Sequence, residues 1–225
     1  MPSGYSVVVP SRAEEPWLEA ALVSVQRQTL PPKRIIVVVN GPGAEAGAMG
    51  SSLAGASGVQ VEMLSTAGQA RAIAHGISLV TTPFVAFIDT DDLWTSTKQE
   101  RQIASLEAAS DLDAVAGLTR NFTVNVRNEV CLAEAKAGRL FGATCFRTEA
   151  FRRFGLPDAT TEQFVWQYRW WLNTARMGIK VSMEEMVVLE RRIHDANGWV
   201  TDRDLGKQQL LTELRKSVQR SRETR

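Results

Sequence analysis

The chain has 225 residues, of which 44% are hydrophobic and 23% charged, a balance typical of a globular protein that can bury a core of its own. Its formal net charge of +1 excludes a general electrostatic attraction to nucleic acid or to a membrane surface. The two cysteines, Cys131 and Cys145, lie in no paired motif, and the chain shows neither a signal-peptide pattern nor a long apolar run, so we expect a cytoplasmic protein without disulfides or a membrane span.

The first half of the chain alternates between strand and helix patterns. Short β-branched runs predict buried strands, and apolar residues at spacings of three and four predict helices between them. The predicted strands are 5–10, 34–40, 59–64 and 83–89, and the predicted helices are 16–28, 44–55 and 68–80. This order is typical of βαβ units, which form a mostly parallel sheet that binds ligands beyond the carboxyl ends of its strands.

The second half has a different pattern. Its predicted elements are a helix at about 96–109, strands near 112–119 and 122–132, a mixed segment at 142–155, a tryptophan-rich helix at 162–178, one or two strands at 179–194 and a polar helix from Asp202. Neither an internal repeat nor a clear linker separates these elements. We therefore predict one α/β domain over residues 1–225, with halves at 1–110 and 111–200 and a C-terminal helix at 201–225.

Three carboxylates follow the strand predicted at 83–89. Asp89, Asp91 and Asp92, in the stretch "FIDTDDLW", repel one another and are costly to bury unless a cation offsets them. Hard carboxylate oxygens on a short turn suit Mn²⁺ or Mg²⁺ that already carries phosphate oxygens. The same aspartates also suit a helix N-terminus, so the motif alone leaves both interpretations open.

The sequence around this motif is more specific. The order of "VVVPSRAEEPWLEAALVSVQRQTLPPKRIIVVVNG", "GQARAIAHG" and "PFVAFIDTDDLW" resembles the nucleotide-sugar half of a family 2 glycosyltransferase, over residues 5–110. The resemblance resumes more weakly through "GATCFRTEAFRRFG", "MGIKV" and "RRIHDANG". It implies the GT-A fold, a Rossmann-like central sheet flanked by helices with a smaller acceptor-side region. It also implies a metal-dependent enzyme that moves a sugar from a nucleotide-diphospho-sugar, in the first place a UDP-sugar, to an acceptor hydroxyl.

On the donor side, the resemblance implies contacts with the nucleotide-sugar and with a cation. The implied donor-binding residues are Pro10, Ser11, Arg12 and Glu14 in the first loop, Asn40 and Gly41 after the second strand, Arg71 near the diphosphate, and Asp89 and Asp91 in the D-x-D motif. The positions that match the site of Mn²⁺ or Mg²⁺ are Asp91, Asp92 and His194. The family usually carries paired acids before Gly41, where this chain has Val39 and Asn40.

The implied chemistry also needs a base on the acceptor side. The cation stabilises the charge of the leaving diphosphate, and a carboxylate removes the proton of the attacking hydroxyl. Aligning on "MGIKV" places Trp166 and Gln167 where inverting members carry an E-D pair, and glutamine cannot accept that proton. We therefore expect Glu162 to be the catalytic base, with Asp91 as the catalytic group at the metal. Trp166, Gln167 and Trp170 are expected on the acceptor side.

Alternatives are open for several residues and for the function. Glu162 also fits the first turn of a helix capped by Thr161, a lone His194 also fits a structural role, and the tryptophans also fit core packing. A nucleotidyltransferase shares the sheet and the acidic ligands, but it would carry a Gly-rich phosphate loop that "VVPSRAEEPW" lacks. The missing E-D pair favours a second alternative, a domain that binds a nucleotide-sugar or a partner without turnover. The acceptor (glycan, lipid carrier, small molecule, protein or nucleic acid), the stereochemistry and the oligomeric state are left open.

Overall fold

A computed structural model gives the fold of the chain. The residues it describes are 3–13, 15–42, 58–125, 127–159, 165–195 and 203–223. The helix predicted at 44–55 lies outside the described residues, as do the predicted site residues Glu14 and Glu162.

The first half contains the βαβ units that its sequence pattern predicts. Its elements are β1 (Tyr5–Ser11), α1 (Leu18–Gln26), β2 (Arg34–Asn40), β3 (Val59–Leu64), α2 (Gln69–Ser78) and β4 (Phe84–Phe87). β1 pairs in parallel with both β2 and β4, and β2 pairs in parallel with β3. The strand order is therefore β3-β2-β1-β4. After β3, the chain returns to the other side of β1, where β4 is added to the sheet.

The second half extends the same sheet. Its elements are β5 (Leu93–Trp94), α3 (Lys98–Ala108), β6 (Ala114–Val124), β7 (Val130–Ala137), a 3₁₀ turn (Phe141–Ala143), β8 (Thr144–Arg147), α4 (Thr148–Phe154), α5 (Trp166–Arg176), β9 (Val181–Arg192) and α6 (Arg203–Glu223). Beyond β4 the strand order continues β8-β6-β9-β5, and β7 pairs with β6 as a hairpin. β8 is antiparallel to both of its neighbours, whereas β6 and β9 are parallel.

The β6–β7 hairpin corrects the strands predicted at 112–119 and 122–132. β6 continues through the predicted break at 120–121 because it pairs with β9 on one side and with β7 on the other. The connection instead lies at 125–129, where Asn128 has a φ of 59°. Asparagine tolerates this left-handed backbone conformation better than most residues do.

The sheet separates two apolar layers. Val7 and Val9 of β1 point to the layer that contains α1 and α3, and Val8 points to the layer that contains α2, α4 and α5. Gly76 of α2 makes the second layer compact, since a Cβ at this position would lie 2.3 Å from Cγ1 of Val8. The absence of a side chain at Gly76 therefore lets α2 pack closely against β1.

Helix α6 is attached to α5 by a partly buried ion pair. Nη2 of Arg169 lies 2.6 Å from Oε1 of Glu213, and Nε of Arg169 donates to Oε2 at 3.0 Å. The Glu213 side chain is only 6% exposed. Neither α6 nor any other helix in the described part of the chain is long and apolar enough to cross a membrane.

Candidate active site

The acidic turn, residues 89–92, lies where the order of the sheet reverses. β1 and β4 are parallel neighbours, so their carboxyl ends lie side by side. The chain continues from β1 to α1 and from β4 to the acidic turn, and ligands of such sheets bind where the strand order reverses in this way. The acidic turn follows β4, and a hydrogen bond from the backbone N of Asp92 to the O of Asp89 (3.2 Å) closes it. β5 comes directly after the turn and pairs with β9. This pairing brings the end of β9 and the residues after it beside the carboxylates.

Asp91 lies next to His194. Nε2 of His194 is 3.1 Å from Oδ2 of Asp91, although 103 positions separate the two residues. The imidazole packs on the indole of Trp17, with ring centroids 4.1 Å apart. The guanidinium of Arg192 lies 5.5 Å from the centroid of the same indole. Trp17, which the sequence analysis did not select, therefore helps to hold His194 beside Asp91.

Asp92 has a more enclosed environment than Asp91. It is 4% exposed, and its Oδ1 accepts a hydrogen bond of 3.2 Å from the backbone N of Arg192. Its Oδ2 lies 3.8 Å from Nε of Arg191. These contacts attach the acidic turn to the end of β9.

Burial and the neighbouring carboxylates disfavour the ionised forms of Asp89 and Asp92. Burial, followed by the charge of Asp91, raises the pKa of Asp89 to about 6. Burial and the charges of Asp91 and Asp89 raise the pKa of Asp92 well above its ordinary value. The guanidinium of Arg191 opposes both shifts without cancelling them. This environment favours the binding of a cation.

A fourth carboxylate, Glu15, lies near the turn. Burial raises its pKa, while the charge of Arg12 and a hydrogen bond with Thr90 act in the opposite direction. The charge of Glu15 in turn contributes to the raised pKa of Asp89. The sequence analysis selected the neighbouring Glu14, because nothing in the local pattern distinguishes two adjacent glutamates in a loop.

Asn40 and Gly41 organise the backbone at the donor side. Nδ2 of Asn40 donates to the O of Ser11 (2.8 Å), and the backbone N of Gly68 donates to Oδ1 of Asn40 (2.8 Å). Gly41 has a φ of +114° and donates its N–H to the O of Leu64 at 3.0 Å. A single amide side chain thus ties the ends of β1 and β2 to the start of α2.

The other predicted donor-side residues differ in exposure. Pro10 is a buried residue of β1, and Arg12 is exposed just beyond that strand. Arg71 lies in the first turn of α2 and is partly buried, and its Nε has no hydrogen-bond partner among the described residues. Gln69, two positions earlier, reaches Asp89, so this end of α2 lies beside the acidic turn.

Gln69 was not selected by the sequence analysis either. Its Nε2 donates to Oδ1 of Asp89 at 2.7 Å, and its Oε1 accepts a hydrogen bond of 3.0 Å from Nε1 of Trp166. Glutamine in the first turn of a helix is ordinarily an exposed polar residue, so its sequence context carries no signal of these contacts.

The residues at the expected acceptor side make contacts within the protein. Oε1 of Gln167 accepts a hydrogen bond of 3.1 Å from the backbone N of Phe141. Trp166 and Trp170 are 3% and 5% exposed, and both indoles pack edge-on against the ring of Phe141. Nε1 of Trp170 donates to the O of Gly155 at 2.9 Å. Trp166 and Trp170 therefore belong to the aromatic core, as the alternative of core packing predicts, and Gln167 is bonded to the backbone beside them.

Comparisons with known proteins agree with one another. The family model described as "Glycosyl transferase family 2" matches residues 6–165. The crystal structure of S. aureus TarS has a TM-score of 0.63 at 14% identity, over 85% of this chain and 37% of that chain. The crystal structure of TarS 1-349 has a TM-score of 0.65 at 15% identity, over 84% of this chain and 60% of that one. TarS 1-349 in complex with UDP has a TM-score of 0.59 at 15% identity, over 85% and 61%.

No protein of curated function matches the sequence. The chain spans between 37% and 61% of the length of the TarS chains that it matches. At this level of identity the likeness concerns the fold. The predicted α/β fold of the GT-A type, a curled and mostly parallel sheet flanked by helices, is confirmed.

Proposed function

The chain belongs to glycosyl transferase family 2, and from this membership we propose that it transfers a sugar from a UDP-sugar to an acceptor hydroxyl, with a divalent cation at the acidic turn. The observation that carries the proposal is the group of Glu15, Asp89 and Asp91 beside His194, at the carboxyl ends of β1 and β4. The complex of TarS 1-349 with UDP, in a protein of the same fold, supports the choice of nucleotide.

Mn²⁺ or Mg²⁺ fits the side chains of the turn. Carboxylate oxygens are the hard donors that these ions prefer, and burial together with the neighbouring carboxylates raises the pKa values of Asp89 and Asp92, so a cation at the turn would stabilise their ionised forms. Within the described residues, no group of three or more His, Cys, Asp or Glu side chains could hold a metal ion. This favours an ion that takes part of its ligands from the diphosphate.

Asp91 and His194 are the residues that would hold the cation. Their facing atoms lie 3.1 Å apart, and the Asp91 side chain is 25% exposed, so it remains accessible to a ligand. When bound, the cation would act as a Lewis acid that stabilises the charge of the leaving diphosphate. Asp92, which the resemblance also implies for the metal site, is enclosed by the end of β9 and would instead hold the acidic turn in place.

Arg71 would assist the departure of the diphosphate. Its Nε is buried and has no hydrogen-bond partner among the described residues, a state that is costly unless a ligand satisfies it. A guanidinium forms strong charge-assisted hydrogen bonds with phosphate oxygens. Asn40 holds the first donor-side loop, so that Ser11 and Arg12 keep their place at the same edge of the sheet.

The acceptor hydroxyl needs a base, which we place at Glu162. Gln167 cannot serve, because an amide does not take up a proton and its oxygen already accepts the N–H of Phe141. Glu162 lies one helical turn before α5 in the sequence. The contact of Gln167 equally favours a second candidate function, a domain that binds UDP-sugar without turnover.

Calorimetric titration with UDP, with and without Mn²⁺, tests the donor side. We expect the wild type to bind UDP more tightly with Mn²⁺ than without it. In the presence of Mn²⁺, Asp91→Asn should bind UDP at least tenfold more weakly than the wild type, because a ligand of the cation is missing. Asp111→Asn is the matched control, since Asp111 forms an exposed ion pair with Lys180 at 3.1 Å on another part of the surface. Equal affinities of Asp91→Asn and wild type would contradict the proposal.

A second pair of variants tests the imidazole. His194→Ala should weaken the Mn²⁺-dependent binding of UDP, whereas His75→Ala should not, although His75 also lies 3.2 Å from a carboxylate, that of Glu62. Release of UDP from a panel of UDP-sugars then distinguishes the two candidate functions. Turnover that Glu162→Gln abolishes supports the transferase, and UDP binding without any turnover supports the binding domain.

A further inference from the structure

A hydrogen-bonded chain of three side chains connects α5 with the acidic turn. The indole N–H of Trp166 donates to Gln69 at 3.0 Å, and the amide N–H of Gln69 donates to Asp89 at 2.7 Å. The three residues come from α5, from the first turn of α2 and from the segment after β4. No stretch of local sequence contains more than one of them.

The chemistry of the two ends determines the orientation of the amide. An indole N–H can only donate, and an ionised carboxylate can only accept. Gln69 must therefore present its oxygen to Trp166 and its nitrogen to Asp89. Glutamate at position 69 would place a second carboxylate against Asp89, and leucine would serve neither end.

The end at Trp166 is packed in the core. Its side chain is 3% exposed, and its indole lies edge-on against Phe141 with centroids 4.9 Å apart. The next residue, Gln167, accepts the N–H of the same Phe141. Gln69 is therefore bonded to a side chain of the core, and its hydrogen bond to Asp89 fixes the orientation of that carboxylate.

We propose that Gln69 is a positioning residue, which orients Asp89 for the nucleotide-sugar and couples the placement of α5 on the acceptor side to the donor site. The inference rests on the proposed function, because Asp89 needs a defined direction only if the acidic turn binds the donor. Residues that orient the ligands of a metal site typically change metal affinity or activity 10- to 100-fold when they are replaced, and we expect an effect at the lower end of this range here. Gln69 therefore acts through Asp89, without touching the sugar.

The test compares UDP binding in the presence of Mn²⁺ among four single variants. Gln69→Leu should weaken binding about tenfold, and Gln69→Glu should weaken it further, because the new charge repels Asp89. Trp166→Phe keeps the packed ring and removes only the N–H, so a smaller loss, about threefold, is expected. Trp170→Phe is the matched control: it removes an indole N–H of the same helix, which is bonded to Gly155 and not to the site.

Two further measurements separate positioning from a general loss of stability. Because Trp166 acts on the site only through Gln69, the double variant Gln69→Leu/Trp166→Phe should bind UDP no more weakly than Gln69→Leu. In a ¹H–¹⁵N spectrum of the wild type, addition of UDP and diamagnetic Mg²⁺ should shift the indole N–H resonance of Trp166 and leave that of Trp170 in place.

The outcomes that overturn the inference differ from those that overturn the function. Wild-type affinity in folded Gln69→Leu and Trp166→Phe would overturn the inference alone. An equal loss in Trp166→Phe and Trp170→Phe would do the same, since it would indicate a loosened core. A wild type that binds no UDP would overturn the proposed function and this inference with it.

Discussion

The carboxylates of the acidic turn oppose folding while they prepare a ligand site. Asp89 illustrates this, because burial and the charge of Asp91 raise its pKa to about 6. Because its pKa is higher in the folded state, protonation of Asp89 favours the fold. This contribution is fully present below the unfolded pKa of 3.8 and is lost as the pH rises through about 6. At neutral pH the charge of Asp89 is therefore destabilising, and the proposed cation would offset it.

Asp89→Asn keeps the shape of the side chain and removes its charge. We expect this variant to exceed the wild type by about 1–2 kcal/mol in the free energy of unfolding at pH 7.5, and to match it near pH 4. Urea denaturation at the two pH values measures the difference. A difference that does not increase between pH 4 and pH 7.5 would show that the charge of Asp89 is already compensated.

Lys98 is a second buried charge, on the opposite side of the sheet from α2. It is 0% exposed, its Nζ donates to Oε1 of Gln102 at 2.8 Å, and the same atom lies 4.3 Å from the centroid of the Trp94 ring. Burial lowers its pKa from 10.5 to about 7. The unfolded chain thus keeps this proton to a higher pH than the folded protein does. Wild-type stability should therefore rise between about pH 7 and pH 10.5 through this group.

Lys98→Met should remove that part of the pH dependence. Below pH 7 the variant no longer buries a charge, so we expect it to be more stable than the wild type by about 2 kcal/mol, with the advantage vanishing near pH 10. Denaturation curves at pH 6 and pH 10 give the comparison. Lys207→Met, at an exposed position of α6, serves as the control and should show no such trend.

At the scale of elements, the packing of α2 determines where Gln69 and Arg71 lie. α2 approaches β1 closely at Gly76, where a Cβ would meet Cγ1 of Val8 at 2.3 Å. Any side chain at position 76 must therefore push the helix away from the sheet. Both residues at its first turn would then move relative to the acidic turn.

Gly76→Ala should accordingly cost stability and UDP affinity together. Overpacking of this kind destabilises by about 1–3 kcal/mol. The double variant Val8→Ala/Gly76→Ala opens space for the new methyl group and should recover part of both losses. Gly138→Ala is the control, since a Cβ there has nothing within 4 Å. Unchanged UDP binding in a destabilised Gly76→Ala variant would show that the position of α2 does not affect the donor site.

At the scale of the whole molecule, the buried carboxylate of Glu213 links the C-terminal helix to α5. Glu213 contacts Arg169 of α5 at 2.6 Å and Lys216 at 3.0 Å, and the hydrogen bond with Arg169 is the main cause that lowers its pKa from 4.5. A lowered folded-state pKa contributes stability that is present above the unfolded value and is lost as the pH falls below it. The attachment of α6 should therefore weaken in acid.

Glu213→Gln should reproduce that weakening at neutral pH. We expect a loss of about 1–2 kcal/mol in the stability of the attached helix, because the charge-assisted hydrogen bonds between Arg169 and the carboxylate of Glu213 are lost. Hydrogen exchange that accelerates in α6 and not in β1 and β2 would show the effect. Glu149→Gln, which breaks an exposed pair with Arg152, is the control and should change little.

The sequence by itself determined the order and type of most elements. β2 and β3 end where the patterns at 34–40 and 59–64 predict, because β-branched runs and the turn residues around them act locally. The acidic turn was visible for the same reason, since all its carboxylates lie within four residues. The break predicted at 120–121 was wrong because pairing with β9 and β7 outweighs the local polar signal.

The tertiary structure alone decided which side chains meet. His194 reaches Asp91 only because β5 pairs with β9, and Trp166 reaches Gln69 only because α2 and α5 lie on the same face of the sheet. It also placed Gln167 against the backbone of Phe141. Hydrophobic periodicity records which residues are buried, but the order of the strands decides which distant residues become neighbours. That order depends on pairings across the whole chain, which no local pattern contains.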